Sequence, residues 1–176
     1  VYGVLLRPLP YANPDRLVAL WEHNLPRGRD RNVVSVTNFE AWRARATSFD
    51  DMAGLVAPPV TLPSPDGPER INGAEVSPAY FRMLGVRPML GRDFADDEGA
   101  AAGVVMLSES YWRTRLGSDR DIVGKLLQID GRPHSDGRPH EVIGVTPAGF
   151  EPAASHWLGR QDFWGPLVPG AANRTD

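Results

Sequence analysis

The 176-residue sequence predicts an α+β fold of short helices and several antiparallel hairpins. Three observations lead to it. Pro 17 and Gly 18 are frequent enough that elements must be short and separated by turns. Helical periodicity occurs in three brief stretches bounded by capping residues, with no long amphipathic run. β-type runs flank the turn signals Pro65-Asp66-Gly67 and Asp130-Gly131, and an Asp-Gly step between apolar runs is the strongest local hairpin signal. Hydrophobic residues at 41% and charged residues at 23% are ordinary globular usage, and this length encloses a core as one domain or two small ones.

The elements follow in order. The opening VYGVLLRPLPY is apolar but broken by Arg7, Pro8 and Pro10, so no helix continues beyond Leu6. RLVALW, Arg16 to Trp21, reads as a strand, followed by the polar loop NLPRGRDRN. The strongest helix signal comes next. Thr37 and Glu40 form a capping box, while Phe39, Trp42, Ala46 and Phe49 recur at helical spacing and imply one buried face. From Gly54 the texture changes to short β-like runs between prolines, two or three strands around Pro65-Asp66-Gly67, with a boundary near residue 57.

A second, two-turn helix has Ser77 as N-cap, Pro78 in its first position, Phe81 and Leu84 inward, and Gly85 past its end. After RPMLGRDF and the acidic loop DDEGAAAG comes the strand VVML. A third short helix is capped by Ser108, carries Tyr111, Trp112 and Leu116, and is stopped by Gly117. KLLQID and HEVIGV read as two strands about a Gly turn, and the stretch from FEP to FWGPL closes the chain with aromatics and prolines.

Between those two strands the chain repeats itself, DGRPHS and then DGRPHE. Removing one copy leaves LLQIDGRPHEVIGV, two apolar strands joined at Asp-Gly, so the repeat is an insertion in a hairpin. Six is even, so the faces keep alternating and Val142, Ile143 and Val145 can still meet Leu126, Leu127 and Ile129 in the original register. Closure entropy grows slowly with length, so the extension costs on the order of 1 kcal/mol or less. A lengthened, mobile tip is expected near Gly131 to Arg138. His134 and His140 could be a metal pair, but their spacing matches no zinc signature and no carboxylate or Cys cluster completes a shell. An exposed turn is the expectation.

Composition bounds function too. A net charge of −3 and a pI near 5.8 give no basic field, and no local patch supplies one, so no nucleic-acid partner is expected. With no cysteine there is no disulfide framework, thiolate zinc site or Cys nucleophile. No run approaches the roughly 18 apolar residues of a membrane helix, and no signal peptide is evident. Because the chain begins at Val1, a longer parent is expected. The motifs G-x-S-x-G, H-E-x-x-H, the phosphate-cradling GK[ST] loop and the dinucleotide fingerprint are missing. No catalytic, cofactor-binding or metal-ligating residue is therefore assigned, and no enzyme is expected. Asp96, Asp97 and Glu98 lack the spaced oxygens of a calcium loop and read as a helix start or solvated turn. Of five tryptophans, Trp42 and Trp112 belong to apolar helix faces. Trp21, Trp157 and Trp164 stay open between core and a glycan or lipid groove.

Five blocks occur in fixed order over roughly residues 4 to 168: VLLRPLPYANPDRLVALWE, VSVTNFEAWRARATSFDDMAG, VSPAYFRMLGVRPMLGRDFADDE, VVMLSESYWRTRLGSDRDIVGKLLQIDG and HEVIGVTPAGFEP. Together they resemble the periplasmic core domain of MacB/FtsX-type ABC transporter permeases, most nearly the duplicated orphan permeases of Acidobacteria. The doubled DGRPHS departs from that pattern. The resemblance implies a β-rich Sabre-like lobe at 58–150 inserted in a partial porter-like α/β lobe. The first half of that lobe, with a membrane-proximal stub, would be 1–57, and 151–176 would be the return segment.

The resemblance also implies a periplasmic location between the first and second transmembrane helices of the parent chain, with VYGVLL ending the first. The implied role is non-catalytic: coupling cytoplasmic ATP hydrolysis to periplasmic conformational change, with efflux of a small molecule or peptide as an outcome. Implied partners are the parent's transmembrane helices, a second copy in a homodimer, and a periplasmic adaptor or outer-membrane protein. The rest of the porter-like lobe is expected after residue 176. Its absence would leave a sheet edge and the face of Phe39 and Trp42 to be covered by another chain. The joins Ala57-Pro58-Pro59 and Pro63 to Pro68 read as stiff links or ordinary loops. The alternative is a stand-alone extracytoplasmic module that binds glycan or peptide in an aromatic groove.

Overall fold

Both hairpins signalled in the sequence become arms of one mixed sheet in the computed structural model, which describes residues 11–24, 28–57, 59–62, 67, 69–99, 103–129, 138–152 and 158–167. A small antiparallel pair, β1 (Glu22–Asn24) and β2 (Arg29–Asn32), leads into α1 (Val36–Arg45). The main sheet contains β3 (Leu55–Val56), β4 (Pro59–Leu62), β5 (Glu69–Val76), β6 (Leu90–Gly91), β7 (Val104–Leu107), β8 (Leu126–Leu127), β9 (His140–Val145) and β10 (Phe163–Pro166). Its order is β3-β5-β10-β7-β9-β6, with β4 also on β5 and β8 also on β9. β5 runs parallel to β10, and β7 to β9; the central β10–β7 ladder is antiparallel. The short helices α2 (Tyr80–Leu84) and α3 (Glu109–Arg115) follow β5 and β7. This is the α+β class the sequence predicts.

Alternation along the strands sets the layers. On one face Val76, Val104, Met106, Ile143 and Trp164 pack with Tyr80, Phe81 and Leu84 of α2. On the other, Val105, Leu107, Val142, Val145 and Phe163 pack with Trp112 of α3. All four residues of β7 are buried because the strand is covered on both faces. A bulge between Val105 and Met106 pairs Val105 with Val142 but Met106 with Gly144. It turns Ile143 to the first face and lets Val142 and Val145, three apart, share the second. The β6–β9 ladder needs glycine on both strands. A Cβ on Gly91 would lie 2.1 Å from the Ile143 carbonyl oxygen, and one on Gly144 2.6 Å from that of Arg92.

The first hairpin is longer than its two strand labels suggest. Leu55 faces Val76 and, four residues on, Pro59 faces Asn72, so β3 and β4 hold one register against β5. Residue 58, between the two labels, lies outside the described residues. Most of the turn that joins β4 to β5, 63–66 and 68, lies outside the described residues. In the second hairpin Leu126 faces Glu141 and Leu127 faces His140. Continued two steps, that register sets Ile129 opposite Arg138 and leaves eight residues between them, a two-residue Asp-Gly turn plus six. The tip itself, 130–137, lies outside the described residues, and so does the expectation of its mobility.

Several expectations need correction. Arg16–Trp21 is not a strand: Pro14–Arg16 is a 3-10 turn, Val18 is 65% exposed, and the first strand begins at Glu22. Among the described residues the apolar run there pairs with no strand, and it is partners that make a strand. α1 is capped two residues before the expected position. The Ser35 hydroxyl accepts from the Asn38 N–H at 3.2 Å, while Glu22 accepts from the backbone N–H of Ser35 and the side-chain amide of Asn38. Thr37 lies inside the helix. The implied buried face is half-covered: Val36 is buried, Phe39 and Trp42 are half-buried, and Phe49 is 39% exposed. Ser77 does not cap α2 with its side chain; its hydroxyl accepts from the Gly54 N–H at 2.9 Å and ties β5 to the chain before β3. Val142 and Val145 meet Ile129 and Leu127 through a shared core face, while their strand partners lie on β7 and β6.

Candidate functional site

Two contact regions stand out, a junction around Tyr11 and an ion-paired loop after β6. The junction begins with Tyr11, whose ring is buried in the first core face and whose phenol donates to the Glu151 carbonyl at 2.7 Å. Burial first, and the Glu151 carboxylate second, push its pKa up to about 12. The next residue, Ala12, donates its N–H to the Leu84 carbonyl at 3.2 Å. That oxygen is in the last turn of α2 and has no partner inside the helix, so the segment acts as a cap on it. Gly85 ends α2 at φ 70, and a Cβ there would lie 2.4 Å from the Ala12 Cβ. Leu17 packs on the same core face, and Arg16 pairs with Asp50 at 2.6 Å in solvent.

The second region is the loop 92–98, closed by a two-pronged pair. Arg92 Nη1 and Nη2 donate to the two Glu98 oxygens at 2.9 and 2.6 Å. Glu98 also accepts from the Ala95 N–H at 2.7 Å, and Phe94 between them is buried in the core. The Arg92 guanidinium holds the Glu98 carboxyl below its ordinary range, against the opposing effect of burial. Asp93 goes the other way, because burial outweighs its bond from the Phe94 N–H. Arg82 on α2 reaches Asp96 at 3.0 Å. The acidic run is thus a turn in which Asp96 and Asp97 face solvent and Glu98 is turned inward.

The remaining sequence candidates scatter. His140 is buried at the base of the second hairpin, and His134 lies outside the described residues. Among the described residues no group of three or more His, Asp or Glu is placed to hold a metal. Trp112 and Trp164 are core: Trp112 donates to the Asp119 carbonyl, and Trp164 packs with Phe81 and Phe150 at 5.4 Å. An aromatic groove built on Trp164 is therefore closed. Trp21 and Trp42 are half-buried, and Trp157 lies outside the described residues. No helix among the described residues is long and apolar enough to cross a membrane.

Sequence reasoning missed the junction, because Tyr11 and Ala12 sit in a proline-rich stretch with no periodicity and their partners are 72 or more positions away. The one local signal was Gly85 as a helix stop.

Comparison with known proteins gives the following. The family described as the MacB-like periplasmic core domain matches residues 5–175. The crystal structure of the periplasmic region of MacB from Actinobacillus actinomycetemcomitans superposes with a TM-score of 0.57 at 16% identity, covering 81% of this chain and 60% of that one. The extracellular domain of YknZ, a noncanonic ABC-type transporter from Gram-positive bacteria, superposes with a TM-score of 0.53 at 16% identity, covering 74% and 69%. This chain thus spans 60% of the length of the MacB region it resembles. No curated protein matches.

Proposed function

From the premise that this chain belongs to the MacB-like periplasmic core domain family, the extracytoplasmic domain of ABC transporter permeases, we propose that it works as a mechanical relay. Movement of the parent's membrane helices, driven by cytoplasmic ATP hydrolysis, is converted here into opening and closing on the outer side. The domain itself catalyses no reaction. Efflux of a small molecule or peptide, a homodimeric arrangement and docking of a periplasmic adaptor or outer-membrane protein belong to the same reading.

The observation that carries it is the family match over residues 5–175. The physical character of the fold supports it: a sheet buried on both faces moves as one body, while the chain from β1 through α1, whose helix buries Val36, is tied to it less closely. We assign the sheet to the Sabre-like lobe, with the division near residue 57. β10 extends that lobe beyond 150, since it lies between β5 and β7. The region before β3 is the first part of the porter-like lobe.

The test uses the parent permease in proteoliposomes. With no native cysteine in this domain, Val33→Cys just before α1 and Val123→Cys on the sheet body, both exposed, take spin labels. The distance between them should change between nucleotide-free and ATP-bound states. A distance that stays fixed while ATP is hydrolysed overturns the relay.

A further inference from the structure

We propose that residues 11–17 form the rigid joint through which displacement of the preceding chain enters the sheet, with Tyr11 and Ala12 seated against Leu84, Gly85 and Glu151 as its bearing surface. This rests on the relay reading above and adds the point at which load is taken up.

A joint transmits movement only if slippage between its parts is costly. Three independent contacts meet that condition. The Ala12 N–H is bonded to the Leu84 carbonyl, so the segment cannot slide along α2 without uncapping it. The Tyr11 phenol is bonded to Glu151 in the β9–β10 connection, 140 positions away. The Tyr11 ring is buried in the core face lined by strands β5, β7, β9 and β10. Displacing the ring therefore opens a core face to which those strands contribute.

Gly85 makes the seat possible. At φ 70, with Ala12 Cβ 2.4 Å from where a Cβ would be built, it lets the two backbones approach as no other residue would. The hold is local, since Val18 and Leu20 immediately beyond are exposed.

The first experiment is amide hydrogen exchange on the 176-residue chain. The Ala12 amide should be protected in common with that of Leu167, which is bonded to the Val76 carbonyl in the sheet. Gly85→Ala should raise Ala12 exchange by roughly tenfold or more and leave Leu167 unchanged. Ala12→Gly in the same chain removes the colliding methyl and should restore most of the protection. Exchange of Ala12 at the rate of a free amide in the wild type, or additive effects of the two substitutions, refutes the joint.

The second experiment returns to the labelled parent permease in proteoliposomes, with Val33→Cys and Val123→Cys in each background. Gly85→Ala should reduce the nucleotide-dependent distance change several-fold while ATP hydrolysis continues, and the double variant should recover it. A Gly85→Ala parent that responds like the wild type sinks this proposal alone. A wild-type parent with no response to nucleotide sinks the relay reading and this one together.

Discussion

Glu98 and Asp93, five positions apart in one loop, respond to pH in opposite senses. Glu98 has its folded pKa below its ordinary value of 4.5, so its contribution is present at neutral pH and lost as pH falls through that range. Glu98→Gln should destabilise the chain by about 1 kcal/mol at pH 7, the upper end for a pair whose arginine is half-exposed. The difference from wild type should shrink as the pH falls below 4.5. Asp93 has its folded pKa above the ordinary 3.8, so its ionised form is the strained one, and its contribution is present in acid and lost as pH rises. Asp93→Asn keeps the oxygen that accepts from the Phe94 N–H and should gain about 0.5 kcal/mol at pH 7. Urea midpoints of the two variants against pH check both; shifts of the same sign at neutral pH would show that burial does not govern Asp93. The sequence displayed this cluster only as a run of acids. Which acid turns inward depends on Arg92 and on Phe94 reaching the core, and neither is marked in the run.

At the scale of elements, legibility followed how local the cause is. α3 was readable from its ends, because Ser108 accepts from the Tyr111 N–H and Gly117 stands past the helix at φ 63, both effects of residues within one turn. α1 was readable as a helix but not in its start, since Glu22, from another strand, selects Ser35 over Thr37. Ser35→Ala should therefore cost about 1 kcal/mol of stability and Thr37→Ala much less. Equal losses in thermal or urea unfolding would return the cap to Thr37.

β10 escaped notice because Gly165 and Pro166 argue against a central strand. It is tolerated because the β7 ladder covers only Phe163 and Trp164, two residues short of the proline. The second hairpin shows the reverse case, where sequence arithmetic was enough. With Ile129 opposite Arg138, deletion of 130–135 leaves Asp136-Gly137 as a two-residue turn in the same register. Stability should change by no more than about 1 kcal/mol, and the Leu126–Glu141 and Leu127–His140 pairings should persist in backbone NOEs. A shifted pairing would mean that the repeat sets the register.

For the whole molecule the question is whether it opens as one unit. β5, β10, β7 and β9 carry side chains buried on both faces, and β10, supplied by residues 163–166, joins the two halves of the sheet at its centre. The chain from β1 through α1 is different. Val36 is the buried residue of α1, and Val33 and Phe49 on either side of the helix are exposed. Opening it exposes little new apolar surface, at about 25 cal/mol per Å², whereas opening the sheet exposes both cores together. Native-state hydrogen exchange should accordingly resolve two tiers. The amides of β7 and β9 should exchange only through global unfolding, with the denaturant dependence of the whole chain. Those of Phe39 and Ala46, bonded within α1, should exchange through local opening at a free energy lower by about 2 kcal/mol or more and with little denaturant dependence. Ala12, although it precedes β1 in sequence, should group with the sheet, because its bond is to Leu84. A relay needs this division, a stiff body entered at a fixed point and a looser part free to move against it. One common exchange free energy for α1 and β7 would leave the domain no internal place to bend.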